Sequence, residues 1–223
     1  MVAPVIPVLG LPLLNRADLA ADMLDSVTVE VGETLVILNG EADQARQRLA
    51  DWDVTFVEPG CNLGVAASWN HIIRARPAAP WWLIVNADIT FGSDDLERLC
   101  EAMDDPDPRL VCLFQFGAFA INQAAVDAVG WFDENFHPIY FEDNDYRRRC
   151  HLAGVPIWNP MSRTKHHNSA TIASGFGEHN AVTFPRNADY YITKWGGPPG
   201  LETVDAPRTP VLDRRRLVDN AWT

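Results

Sequence analysis

Trp81–Val85, read Trp-Trp-Leu-Ile-Val, puts no polar side chain on either face of a strand, and Asn86-Ala87-Asp88 closes the run. A strand apolar on both faces must be covered on both, as at the centre of a parallel sheet flanked by helices. Residues 2–9, Thr34–Leu38, and residues 54–57, 110–116 and 155–158 read as further short strands. Helical patterns fall between them. Asn15 offers a cap before Leu19, Met23 and Val27; residues 42–50 have the composition of a short helix; a third helix carries Val65, Trp69, Ile72 and Ile73 and ends before Pro77. Ser93 caps Leu96, Leu99, Cys100 and Met103, and Gln123–Val129 is stopped by Gly130. Strand and helix alternating in this way predict one doubly wound, mostly parallel α/β domain over residues 1–200, followed by a tail over residues 201–223 that carries Arg214-Arg215-Arg216.

The formal net charge of −12 works against binding a phosphate backbone, so nucleic acid is not expected as a partner. No apolar run is long enough to cross a bilayer, and the proline-broken opening lacks the basic flank of a signal peptide. Cys61, Cys100, Cys112 and Cys150 have no paired spacing and are expected to be reduced core residues of a cytoplasmic protein.

The chemistry concentrates in residues 130–149. Glu142, Asp143 and Asp145 sit together behind Tyr140 and Phe141, and three carboxylates this close either face open water or share a cation or a proton. The bland alternative is an acidic helix start, capped by Asp143 or Asn144, with Tyr146, Cys150 and Ala153 on its inner face. Three weaker signals accompany the acids. Asp88 stands at a strand end, where open α/β sheets bind ligands, although Asn and Asp are ordinary turn formers there. The turn through Asn62-Leu63-Gly64 opens a helix whose N–H groups suit an anion, unless Asn62 is a cap and Gly64 a steric convenience. His166 and His167 are potential ligands for Mn²⁺, though such a pair is more often a surface loop. Residues beyond Gly175 are rich in Gly, Pro and Asn, and Tyr190, Tyr191, Lys194 and Trp195 read as one packed helical turn.

In combination, Asn62-Leu63-Gly64 with Asn70, Asn86-Ala87-Asp88, residues 117–136 ending in Gly-Trp-Phe-Asp-Glu-Asn-Phe, Phe141 to Asp145 with Arg147, and His166-His167 before Asn168-Ser169 resemble family 2 glycosyltransferases of the GT-A fold, rhamnosyltransferase-like subgroup. The resemblance implies inverting transfer of a sugar from a nucleotide-sugar donor to an acceptor hydroxyl on a glycan, protein or small molecule, and a small antiparallel part on the acceptor side. It implies Mn²⁺ or Mg²⁺ held by Asp88 with His166 or His167. Asp143 becomes the general base, Glu142 and Asp145 its supports, and Trp131 a platform for a sugar ring. Asn39, Asn62, Gly64, Asn70 and Asn86 fall on the donor side. Two departures stand out: Leu38-Asn39-Gly40 takes the place of a strand-end acid, and Asn86 that of the first acid of a DxD-like motif. The short interval between Asp88 and Gly117 implies a trimmed acceptor region. The alternatives are a non-catalytic nucleotide-sugar-binding module and a nucleotidyltransferase.

Overall fold

The computed structural model describes residues 3–167 and 177–207. In chain order the elements are β1 (Val5–Ile6), β2 (Leu9–Leu13), α1 (Ala17–Asp25), β3 (Glu30–Val31), β4 (Thr34–Leu38), α2 (Ala42–Arg48), β5 (Thr55–Val57), α3 (Gly64–Ala75), β6 (Trp81–Val85) and β7 (Ile89–Thr90). There follow α4 (Asp95–Met103), β8 (Leu110–Phe114), β9 (Ala118–Asn122), α5 (Gln123–Val129), α6 (Glu142–Ala153), β10 (Ile157–Trp158), β11 (Lys165–His166) and α7 (Gly177–Trp195).

Seven strands form one sheet in the order β10-β8-β9-β6-β2-β4-β5. Every pairing is parallel except the two made by β9, so the sheet is mostly parallel with a single reversed strand. β6 is covered on both faces as its composition requires. Trp81, Leu83 and Val85 enter the core layer shared with α1 and α4, while Trp82 and Ile84 enter the layer shared with α3, α5 and α6. A third, smaller cluster joins Phe136 to Tyr191 and Trp195 of α7.

Several expectations need correction. β6 is parallel to β2 on one side but antiparallel to β9 on the other. The run expected as a strand to residue 116 ends at Phe114, where Gln115 at φ 45° turns the chain back into β9. The first sheet strand is Leu9–Leu13 and not residues 2–9, because residues 5–6 leave the main sheet to pair with β3. None of Asn15, Ser93 or Asp143 makes a side-chain cap: the N-cap positions are Arg16, Asp94 and Phe141, without cap bonds. Ala153 is exposed, and Cys61 is exposed where a core residue was expected. The single turn expected near residues 190–195 belongs to a helix of 19 residues. Residues 201–207 lie against that helix and α6, through Glu202 to Tyr191 and Asp205 to Arg148. Asn168, Ser169 and the rest of the expected tail, including Arg214 to Arg216, lie outside the described residues.

Candidate active site

The chain builds β2, β4 and β5 outward in one direction, then crosses to place β6 on the other flank of β2. At such a reversal the loops leaving two neighbouring strands diverge, and a crevice opens beyond their carboxyl ends. A cavity of about 260 Å³ lies there. Its floor includes Asn15, Asn39, Asn86 and Asp88 at the ends of β2, β4 and β6; Tyr140, Glu142 and Asp143 close one wall, and His166 another. No lysine or arginine lines it among the described residues.

Asp88 is 5% exposed, and its Oδ1 lies 3.1 Å from His166 Nε2. β11 delivers the histidine by pairing antiparallel with β7, with His166 opposite Ile89, and the His166 ring stacks on Phe114 at 5.1 Å. The Asp88 carbonyl accepts from His167 N–H at 2.8 Å, while the His167 ring is exposed and meets the Thr90 hydroxyl at 3.2 Å. Of the two histidines, His166 is therefore the one beside the acid. Two ligands about 2.1 Å from an octahedral ion and at right angles to one another lie about 3 Å apart, so the Asp88 and His166 atoms fit such an ion. Among the described residues no third His, Cys, Asp or Glu completes a metal-binding group. An ion here would take its remaining ligands from water or from a bound anion.

The three acids are separated by the helix they begin. Glu142 is 4% exposed and lines the cavity, and its Oε2 is buried with no hydrogen-bond partner among the described residues. Burial, and then the neighbouring Asp143 carboxylate, push its pKa well above the usual range. Asp143 is half-buried on the same wall. Burial raises its pKa too, opposed by the Asn144 N–H donating to Oδ1 at 2.8 Å and by the charge of Arg147. Asp145, one turn round, faces away from the cavity and is fully buried. Arg149 Nε donates to it at 2.9 Å, Trp195 Nε1 at 2.9 Å, and Lys194 Nζ lies 2.5 Å away. Its contacts join α6 to α7 and include nothing in the cavity.

The donor-side residues divide in the same way. Asn39 lies at the cavity, with its amide donating to Ser68 Oγ at 2.9 Å and accepting from Leu63 N–H at 3.0 Å. Asn62 Oδ1 accepts from Gly64 N–H at 2.8 Å, and Val65 N–H donates to the Pro138 carbonyl at 2.7 Å. The N–H groups of residues 63–65 are thus engaged within the protein, and the expected anion site at the start of α3 is absent among them. Gly64 is there for steric reasons: φ is 74°, and a Cβ would meet His137 and the Pro138 carbonyl at 2.8 Å. Asn70 is wholly buried away from the cavity; it donates to the Phe132 carbonyl at 2.9 Å and accepts from Phe132 N–H at 2.9 Å. Trp131 also lies outside the cavity lining, 42% exposed, with the Arg74 guanidinium 4.6 Å above its ring. Asn86 lines the cavity, and its N–H donates to the Gly117 carbonyl at 2.8 Å.

Sequence reasoning passed over the residues that hold these walls. Asp95, with its side chain fully buried, accepts from Ser162 and Thr164 hydroxyls, from the Gly92 and Arg163 N–H groups and from Arg98, and so ties the segment leading into β11 to the start of α4. Asn187 of α7 is buried and donates to the carbonyls of Ile139 and Tyr140 at 2.9 and 3.3 Å. That grip takes in the first residue of a strained pair, since Tyr140 and Phe141 have φ of 80° and 73° without being glycine. Partners this remote leave no local pattern, although an aspartate and an asparagine buried inside helices would each need one.

A family model described as glycosyl transferase family 2 matches residues 9–168. A galactofuranosyl glycosyltransferase of Leishmania donovani is 32% identical over 75 residues, which are 33% of this chain and 17% of that protein's length. Among solved structures, glucosyl-3-phosphoglycerate synthase of Mycobacterium tuberculosis, in complex with Mn²⁺, UDP and glucosyl-3-phosphoglycerate, matches with a TM-score of 0.55 at 14% identity, over 83% of this chain and 80% of the other. A nucleotidyl transferase from Methanothermobacter matches with a TM-score of 0.56 at 13% identity, over 80% of this chain and 99% of the other. At these identities the structures speak for a shared fold, which serves two transfer chemistries.

Proposed function

The chain belongs to glycosyl transferase family 2, and we propose that its cavity moves a sugar from a nucleoside diphosphate sugar to an acceptor hydroxyl, with inversion at the anomeric carbon. The observation that carries this reading is the pairing of Asp88 with His166 at 3.1 Å in a cavity that Glu142 and Asp143 also line. A nucleoside diphosphate would meet carboxyls and no lining lysine or arginine among the described residues. Asp88 and His166 would hold Mn²⁺ or Mg²⁺, which when bound compensates the charge of the diphosphate leaving group.

Asp143 is the general base in this reading. Its raised pKa makes it a stronger acceptor for the hydroxyl proton as that oxygen attacks the sugar, and the Asn144 N–H fixes the carboxyl's orientation. Asn39, Asn62, Gly64 and Asn86 shape the donor side, and Ile139 and Tyr140 line the cavity with the acids. The resemblance to the rhamnosyltransferase-like subgroup and the match to a galactofuranosyl glycosyltransferase suggest different sugars, so both belong in a donor panel. A nucleotidyltransferase reading has the fold likeness in its favour, but a triphosphate would need cationic side chains that the described lining does not offer.

Calorimetry of nucleoside diphosphates and their sugars, with Mn²⁺ and with chelator, tests this. Metal-dependent binding of one nucleotide is expected, weakened at least tenfold by Asp88→Ala and by His166→Ala. Equal affinity with and without metal would remove the ion from the site, and failure of every nucleotide to bind would remove the donor.

A further inference from the structure

Glu142 and Asp143 are consecutive residues on one cavity wall, yet their surroundings differ in a way that assigns them different work. Glu142 is 4% exposed and carries an Oε2 with no hydrogen-bond partner among the described residues. The cations on its own helix are directed elsewhere: Arg148 to Asp205, Arg149 to Asp145, and Arg147 onto the Phe116 ring. Lys194 of α7 goes to Asp133 and Asp145. The titratable groups that share the cavity with Glu142 are Asp143 on α6, Tyr140 ahead of it, Asp88 at the end of β6 and His166 on β11. A buried carboxylate beside a second carboxylate, with no cation paired to it among the described residues, is costly enough that the group keeps its proton.

We propose that Glu142 works as an uncharged acid, its Oε2–H donating a hydrogen bond to a hydroxyl or ether oxygen of the sugar in the cavity, while Asp143 is the wall's ionised carboxylate. A carboxyl that keeps a proton can donate where a carboxylate can only accept. Burial and the Asp143 charge act in the required direction, and the main-chain groups of Tyr140 and Glu142 that favour ionisation are outweighed. Two acids pushed apart in this way take separate roles. The inference rests on the glycosyl-transfer reading for its ligand, but not for its protonation state.

Two measurements separate these. Infrared difference spectra of ¹³C-glutamate-labelled wild type against Glu142→Gln, without ligand, should show a protonated carboxyl band at neutral pH that the variant lacks. A carboxylate band in its place overturns the proposal whatever the protein binds. Donor hydrolysis of nucleotide sugars with Mn²⁺ is the second. Glu142→Gln, which keeps a donor, should retain at least tenfold more turnover than Glu142→Ala and lack the alkaline fall expected of wild type as Glu142 loses its proton. Glu142→Ala should fall at least tenfold in kcat with little change in donor KM. Loss in Glu142→Gln equal to that in Glu142→Ala would show that a carboxylate is needed and overturn the role. Absence of turnover in wild type would count against the glycosyl-transfer reading, and the infrared band would still decide the protonation state.

Discussion

Glu142 and Asp143 both have main-chain N–H groups set against their burial, but only Asp143 also has a cation, Arg147, acting against its raised pKa. As the proposed base, Asp143 must be deprotonated to act, so activity should rise with pH through that raised value before the alkaline fall expected as Glu142 loses its proton. Asp143→Asn should lower turnover about 10²–10⁴-fold and remove this rise while donor affinity is kept. Single-turnover kinetics beside calorimetry would check it, and unchanged turnover would take Asp143 out of the mechanism. The sequence displays the acid cluster but not its division. Asp145 looks like its neighbours until Trp195, 50 residues on, is seen donating to it. Asn70 looks like a donor-side residue until its amide is found holding Phe132, 62 residues away. Local patterns report which residues are polar; what they face is settled by pairings across the chain.

At the scale of elements, β4, β6 and α5 are legible at their observed bounds, because an unbroken apolar run or a glycine stop leaves no competing pattern. α7 is not. Pro185 lies inside it, where the usual rule ends a helix, and Val182, Phe184 and Ile192 put apolar groups on its exposed surface and blur its period. Yet α7 holds the acid wall. Lys194, itself buried, lies 2.8 Å from Asp133 and 2.5 Å from Asp145. Burial would raise the Asp133 pKa, but the Lys194 charge and hydrogen bonds from Lys194, Asn135 and Tyr190 overcome it and hold it low. Lys194→Met would leave two buried carboxylates without their shared cation and should cost about 3–5 kcal/mol. Denaturant titration measures this, and a loss below about 1 kcal/mol would mean that the pair is satisfied without the lysine.

Over the whole molecule, opposing carboxyls set the stability against pH. Burial alone would raise Asp95, but its hydrogen bonds lower it to about 2. Its contribution is therefore present above the unfolded-state value and is lost as pH falls through the folded one, between about 4 and about 2. Glu142 has the opposite sign: its raised pKa favours the folded state at low pH, and that advantage is lost as pH climbs through the folded value. Melting temperature plotted against pH should pass through a maximum; Glu142→Gln should flatten the alkaline side and Asp95→Asn the acid side. A Glu142→Gln curve that falls with pH as the wild type does would place the alkaline loss in another group.

The strand order also fixes when the cavity can exist. A chain leaving the ribosome N-terminus first lays down β2, β4 and β5, whose pairings lie within residues 9–57, as one early unit. Asp88 emerges next, the acid wall some fifty residues later, and then His166 on β11 and Asn187 on α7. Asp88, the acid wall and His166 line one compartment and Asn187 holds the backbone at Ile139 and Tyr140, so a nascent chain presents a half-built sheet edge and an unfinished compartment until residue 187 is free of the exit tunnel. Donor cannot template the early stages of folding; it can meet only a chain that has already been translated through α7.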